Sequence, residues 1–332
     1  LPGRVRRVRD DKPTSALHVT LVEEPYYAHW CACLASLVLF VPALVVWGVL
    51  RAAHWTAIGV ADVALGCWLA SALLAVWGVF LRRRFVTVRT VDVPVRGLAE
   101  EFEGYRIAQL SDLHVGSLWP LERARSWTRR LAGVAPDLVA LTGDYVTSGT
   151  AFHADIATLL GEMGAIAPDG AIAVLGNHDY FGDAEPLVTL LKSTRVRVLR
   201  NERELLERGG ATLCVAGVDD TWTRRADVAR TLEGRDAAEP LIALAHDPQL
   251  FPELARGGAS LVMSGHTHWG QVALPFFPAR FNLSRLSYRF HAGAYRDGDA
   301  MLYVNPGLGT TGPPLRLGAA PEITVFRLRR AA

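Results

Sequence analysis

Two uncharged stretches constrain this 332-residue chain more than any other feature. Residues 31–50 read CACLASLVLFVPALVVWGVL and residues 63–81 read VALGCWLASALLAVWGVFL, with no Asp, Glu, Lys or Arg in either. Each is close to the roughly 20 apolar residues that a helix needs to cross the hydrocarbon layer. Pro42 and the glycines are compatible with that, because membrane helices tolerate them better than soluble ones. A pair of buried core helices is the competing reading. The runs predict a two-helix transmembrane hairpin over 31–81, set between a basic segment over 1–30 and a linker with a first strand over 82–103. Arg4, Arg6, Arg7, Arg9 and Lys12 precede the first run, Arg82, Arg83, Arg84 and Arg89 follow the second, and only Arg51 lies between. Lys and Arg accumulate on the cytoplasmic side, so both ends are expected in the cytoplasm.

A net charge of +2 gives no electrostatic case for a nucleic-acid partner. Nearly all the basic residues are arginine, Lys12 and Lys192 being the lysines, so arginine identity alone marks no phosphate site. Cys31, Cys33 and Cys67 fall in the apolar runs and Cys214 in a strand-like segment, which forms neither a disulfide framework nor a zinc ribbon.

After Arg84 the pattern changes to short apolar runs separated by Gly, Pro and Asp. YRIAQL, DLVAL, AIAVL, TLCVAGV, LIALA, SLVMS, MLYVN and EITVFRL read as strands, with helices at LERARSWTRRLAGV and HADIATLLGEMGAI. This predicts an α/β domain over 104–332 with two packed mixed β-sheets flanked by helices.

Polar clusters fall where those strands end: SDLH, TGDY, GNHD, AHDP and SGHTH. Turn formation explains any one of them, but ligands in α/β sheets gather beyond the carboxyl ends of strands. Asp112 and His114 are two apart, as are His266 and His268. In extended backbone each pair projects to one side, giving two metal-ligand pairs. Carboxylate and amide oxygens mixed with imidazole nitrogens suit Mn, Fe or Zn.

In this order DLH, GD, GNHD, a later isolated His and GHTH resemble the calcineurin-like metallophosphoesterases over about residues 100–330. The tail YVNPGLGTTGPPLRLGAAPEITVFRL resembles a bacterial membrane-associated branch that includes phosphodiesterases and UDP-diacylglucosamine pyrophosphatases. The resemblance implies two divalent ions, manganese first and iron or zinc as alternatives. It implies that Asp112, His114 and His268 hold one ion, that Asn177, His246 and His266 hold the other, and that Asp144 bridges them. His178 is then a proton donor facing the substrate. Asp179 and Asp247 are expected to orient neighbours or cap turns rather than bind metal. Trp269 departs from the family pattern, in which glycine is usual after this motif, and bears on the pocket rim.

The implied activity is hydrolysis of a phosphodiester or pyrophosphate, with the catalytic domain on the cytoplasmic side of a bacterial inner membrane. A phosphoprotein or phosphomonoester phosphatase and a non-catalytic membrane scaffold are the alternatives. Residues 269–293, WGQVALPFFPARFNLSRLSYRFHAG, combine aromatics with Arg280, Arg285 and Arg289 without a clean period. They are either core or an apolar lip that admits a lipid-linked substrate from the bilayer.

Overall fold

The structure, a computed structural model, describes residues 14–331 other than 117 and 275. Arg4, Arg6, Arg7, Arg9 and Lys12, half of the orientation argument, lie outside the described residues. Two helices are long and apolar enough to cross a membrane, α1 (Ala16–Ala52) and α2 (Val60–Arg84). The first starts well before residue 31, so residues 16–30 belong to the helix and not to a separate segment. Ser15 Oγ accepts the His18 N–H at 3.2 Å to begin α1, and Asp62 Oδ2 accepts the Gly59 N–H at 3.0 Å to begin α2. The connection is closed by Trp47 Nε1–H donating to the Ile58 carbonyl at 2.8 Å. None of the most apolar window of α1 is buried, which is the exposure that lipid would cover.

Charge ties this hairpin to the rest of the chain. Glu24 of α1 is fully buried and accepts from Arg83, Arg84 and Arg123. Arg123 lies on α3 (Leu121–Ala132), outside the hairpin. A buried carboxylate is tolerable only with such partners.

The remaining chain forms two six-stranded mixed sheets. The first is ordered β1 (Thr87–Val95), β12 (Glu322–Arg330), β2 (Arg106–Leu110), β3 (Leu138–Thr142), β4 (Ala171–Val174), β5 (Val196–Val198). The second is ordered β10 (Gly293–Asp297), β11 (Ala300–Val304), β9 (Ala259–Ser264), β8 (Leu241–Ala245), β7 (Ala211–Val218), β6 (Glu202–Arg208). Alternation along the strands builds the layers. Leu138 and Ala140 of β3 join Ile242 and Leu244 of β8 in the core between the sheets. Val139 and Leu141 face the other way, against Trp127 of α3 and Ile156 of α4 (His153–Gly164). Leu241, Ala243 and Ala245 turn outward toward Phe251 and Leu254.

Strands β2, β3 and β4 are parallel in one sheet, and β7, β8 and β9 are parallel in the other. Their carboxyl ends converge, so the loops that leave them meet at one edge of the sandwich.

Candidate metal centre

Each loop at that edge contributes a polar side chain. Asp112 and His114 follow β2, Asp144 follows β3, and Asn177 and His178 follow β4. His246 follows β8, while His266 and His268 follow β9. The expectation that Asp112/His114 and His266/His268 project from extended backbone is wrong. All four lie past the strand ends at φ of 51°, 43°, 71° and 50°, in the left-handed region, and Asp144 is there too at 56°. Non-glycine residues rarely adopt that conformation, and such strain collects at functional sites. The loops coil so that side chains two apart converge on one point.

Packing holds the coil in place. A Cβ at Gly265 would run into Ser111 Oγ and Asp112 Oδ2, and one at Gly176 into Asp144 Oδ1, so only glycine admits these approaches. Asp112 accepts the His266 N–H with both oxygens, at 3.0 and 3.2 Å. Asp179 accepts the N–H groups of Asp144 at 2.9 Å, Tyr145 at 2.8 Å and Gly176 at 2.9 Å, fixing the β3 and β4 loops together. Asp247 accepts the Gln249 N–H at 2.9 Å and caps the turn after it. Both aspartates orient backbone, as their neighbours in sequence suggest.

Three groups of potential ligands result: Asp112, His114 and His268; His114, Asp144 and His178; Asp144, His246 and His266. Within each, the ligand atoms lie within 4.8 Å of one another. His114 Nε2 is 3.0 Å from His268 Nε2, and His268 Nε2 is 3.3 Å from Asp112 Oδ1. His246 Nε2 is 3.2 Å from His266 Nδ1. Asp144 Oδ2 faces both sides, 3.5 Å from His114 Nε2 and 3.2 Å from His246 Nε2. Asn177 is buried at the end of β4 and its Oδ1 has no hydrogen-bond partner among the described residues. An orphaned buried oxygen costs about 1–3 kcal/mol unless something outside the polypeptide satisfies it.

Burial and the mutual charges of the cluster set its electrostatics. Burial pushes Asp112 up to about 6, the His246 charge opposing it. Burial lowers His246, but Asp144 outweighs it and lifts the imidazole to about 10. Burial holds His114 down at about 3, so its ring is neutral and able to donate a lone pair.

His178 differs from the others. Its Nδ1 is 2.6 Å from the Thr147 carbonyl and its backbone N–H donates to Asp144 Oδ1 at 2.9 Å. With Nδ1–H on the carbonyl, Nε2 is the ring atom left to exchange a proton.

Sequence reasoning missed three residues beside the site. Tyr288 places its hydroxyl 3.1 Å from His266 Nε2. Trp222, 59% exposed, sets its ring 5.4 Å from the His266 ring, at the rim. Arg316, fully buried, places Nη2 3.3 Å from His268 Nδ1. Tyr288 was legible only as one aromatic among many, and Arg316 as one arginine in an arginine-rich chain. Trp269 is not a rim residue: it is buried, donates Nε1–H to the Val304 carbonyl at 2.8 Å and packs on Ala273, Ala292 and Ala319.

The fold and the converging ligands define a metal-dependent phosphoesterase domain on a two-sheet sandwich. Residues 105–270 match the family model for calcineurin-like phosphoesterases. A "Transmembrane protein with metallophosphoesterase domain" of Danio rerio is 34% identical over 275 residues, covering 79% of this chain and 61% of its own length. The uncharacterised metallophosphoesterase YkuE of Bacillus subtilis is 32% identical over 232 residues, covering 69% of this chain and 80% of its own. An uncharacterised metallophosphoesterase of Aquifex aeolicus is 29% identical over 257 residues, covering 75% of this chain and 92% of its own. This chain belongs to the calcineurin-like phosphoesterase family, whose members bind divalent metal ions. It spans about three fifths of the zebrafish relative's length.

Proposed function

We propose that the chain is a membrane-anchored hydrolase that uses two divalent cations to cleave a phosphodiester or pyrophosphate bond, in a lipid-linked substrate such as UDP-diacylglucosamine. The observation that carries the two-ion reading is Asp144 Oδ2, which faces His114 of one ligand group and His246 of the other. Asp112, His114 and His268 would hold one cation, and Asn177, His246 and His266 the other, with Asp144 between them. The donor set fits: imidazoles, two carboxylates and an amide oxygen without a partner among the described residues. It suits manganese, iron or zinc, manganese being our choice.

Bound cations supply polarisation of the phosphoryl oxygens and activation of the nucleophile. The polypeptide does the rest. Asp112 and Asp144 offset part of the cations' charge and leave the centre electropositive toward a phosphate. Asp179 and the glycine contacts fix the loops before substrate arrives, so little reorganisation remains. His178, with Nδ1 on the Thr147 carbonyl, hands a proton from Nε2 to the leaving oxygen.

Support for the lipid-linked reading comes from the anchor's closeness to the site. The Gly78 carbonyl of α2 accepts the Arg316 N–H at 3.3 Å, and the Arg316 side chain reaches His268. We place both membrane spans in a bacterial inner membrane with the catalytic domain cytoplasmic, on the arginines that end α2 and follow it and the uncharged loop between the spans. The test is metal analysis of the full chain in bilayers, then turnover of a diacylated nucleotide-sugar, a soluble diester and a monoester with that metal. Highest kcat/KM on the acylated substrate is expected. Preference for the monoester would overturn the bond class, and equal turnover of soluble and acylated diesters the lipid-linked reading.

A further inference from the structure

The segment between the last histidine ligand and β10 carries more exposed apolar surface than any hydrolytic step requires. Phe276 is 94% exposed and Leu286 is 84% exposed, with Leu274, Phe277, Phe281 and Leu283 all exposed beside them. Among the described residues of this stretch, Trp269, Ala273, Phe290 and Ala292 are core. Contiguous apolar surface of this kind marks a place where something else sits.

Connectivity says where it lies. The Ala273 N–H donates to the Leu317 carbonyl at 2.7 Å, and the Leu317 N–H donates to the Gln271 carbonyl at 2.8 Å. The 315–317 strip packs in turn on Gly78, where a Cβ would collide with Leu315 Cδ1. The root of the exposed segment is thus about two chain spacings, ~10 Å, from α2. Pro278 of the segment lines the same cavity, about 320 Å³, as Arg82 and Val88, at the point where the chain leaves α2. Trp77, Leu81, Phe85 and Val88 are exposed there as well, so the apolar surface runs on from the helix end into the segment.

Charge chooses between occupants. No Asp or Glu occurs between Glu253 and Asp297, whereas Arg280, Arg285 and Arg289 are exposed within the segment. A second copy docking the same face on itself would oppose these arginines to their own images. Phosphate headgroups above acyl chains match both the arginines and the apolar side chains.

We infer that Leu274 and residues 276–286 form an interfacial flap that inserts into the headgroup–acyl boundary of an anionic bilayer. This rests on the reading that α1 and α2 span that bilayer. The flap is tied to the candidate metal centre on its carboxyl-terminal side. Tyr288, two residues past Leu286, reaches His266, and Thr267 Oγ1, between two histidine ligands, donates to the His291 carbonyl at 2.8 Å. Seating of the flap therefore bears on the ligands from His266 to His268.

The experiment uses the full chain, its four cysteines changed to alanine, in nanodiscs of phosphatidylcholine and phosphatidylglycerol. Single nitroxide labels are placed through Phe276→Cys, Leu286→Cys, Val38→Cys in α1, and Leu190→Cys on the far surface. A second pair, Phe277→Cys and Leu283→Cys, serves if either flap variant fails to fold. Oxygen accessibility exceeding that of a polar nickel complex is expected at 38 and in the flap, with the reverse at 190. Oxygen preference at 38 with nickel preference in the flap overturns the insertion alone. Nickel preference at 38 as well overturns the membrane reading beneath it. Flap labels shielded from both reagents, with dipolar coupling between copies, would assign the face to a dimer and overturn the proposal.

Discussion

Arg316 joins the second long apolar helix to the candidate metal centre: its backbone N–H donates to the Gly78 carbonyl at 3.3 Å while its Nη2 lies 3.3 Å from His268 Nδ1. The same guanidinium donates to the Gly309 carbonyl through Nε at 3.0 Å and Nη2 at 2.6 Å, and the Gly309 N–H donates to the Asp112 carbonyl at 2.7 Å. Both Asp112 and His268 are thereby positioned from one buried cation. Arg316→Met removes charged hydrogen bonds worth about 1.5–3 kcal/mol each. We expect a lowered melting temperature and weakened uptake of the cation proposed for Asp112, His114 and His268, with the other proposed cation less affected. Calorimetric metal titration checks this, and equal weakening of both sites would remove the positioning role.

Asp179 is fully buried and accepts four backbone N–H groups from two loops, those of Asp144, Tyr145, Val146 and Gly176. Asp179→Ala leaves those donors buried and unpaired, at about 1–3 kcal/mol apiece, non-additively. Chemical denaturation is expected to show a loss of several kcal/mol, and activity should fall further than the folded fraction does because Asp144 is displaced. Activity tracking the folded fraction alone would mean the loop pinning is irrelevant to catalysis.

His178→Ala is expected to keep its metals and lose turnover by about a hundredfold to ten-thousandfold, the usual range for a general acid. The deficit should shrink on substrates with good leaving groups, which need less protonation. Because His178 also lies near His114 and Asp144, the contrary outcome is specific. Loss of a cation with equal deficits on good and poor leaving groups would make it a ligand.

Metal uptake should release a proton. In the metal-free protein His246 is lifted to about 10, burial opposing and Asp144 prevailing. Below that pH its ring carries a proton that must leave before Nε2 can bind a cation, so affinity is expected to rise with pH toward 10. Titration calorimetry in buffers of different ionisation enthalpy measures the released proton directly. Uptake without proton release would contradict the assignment of His246.

The sequence made the two long apolar helices legible because uncharged runs of that length leave little else for the chain to form. Eight short apolar runs corresponded to strands because those strands are buried on both faces. Strand β6, ERELLER, was invisible for the opposite reason: it is an edge strand with only Leu206 buried, and charged edges resist unwanted pairing. The polar clusters at strand ends were legible as a group, since turn formation would have to account for each independently. Their backbone was not, since five of the side chains involved sit at positive φ where spacing rules for extended chain do not apply. Tyr288 and Arg316 reach the site only through tertiary packing, from 20 and 48 residues beyond His268, and no local pattern announces them.

The account turns on one oxygen serving two cations, and Asp144→Asn tests it most directly. The measurement is metal stoichiometry of the purified, folded variant together with its turnover on the best substrate. The expected result is loss of at least one cation and of detectable activity, with the fold intact by circular dichroism. Two cations retained with near-normal turnover would contradict the dinuclear centre.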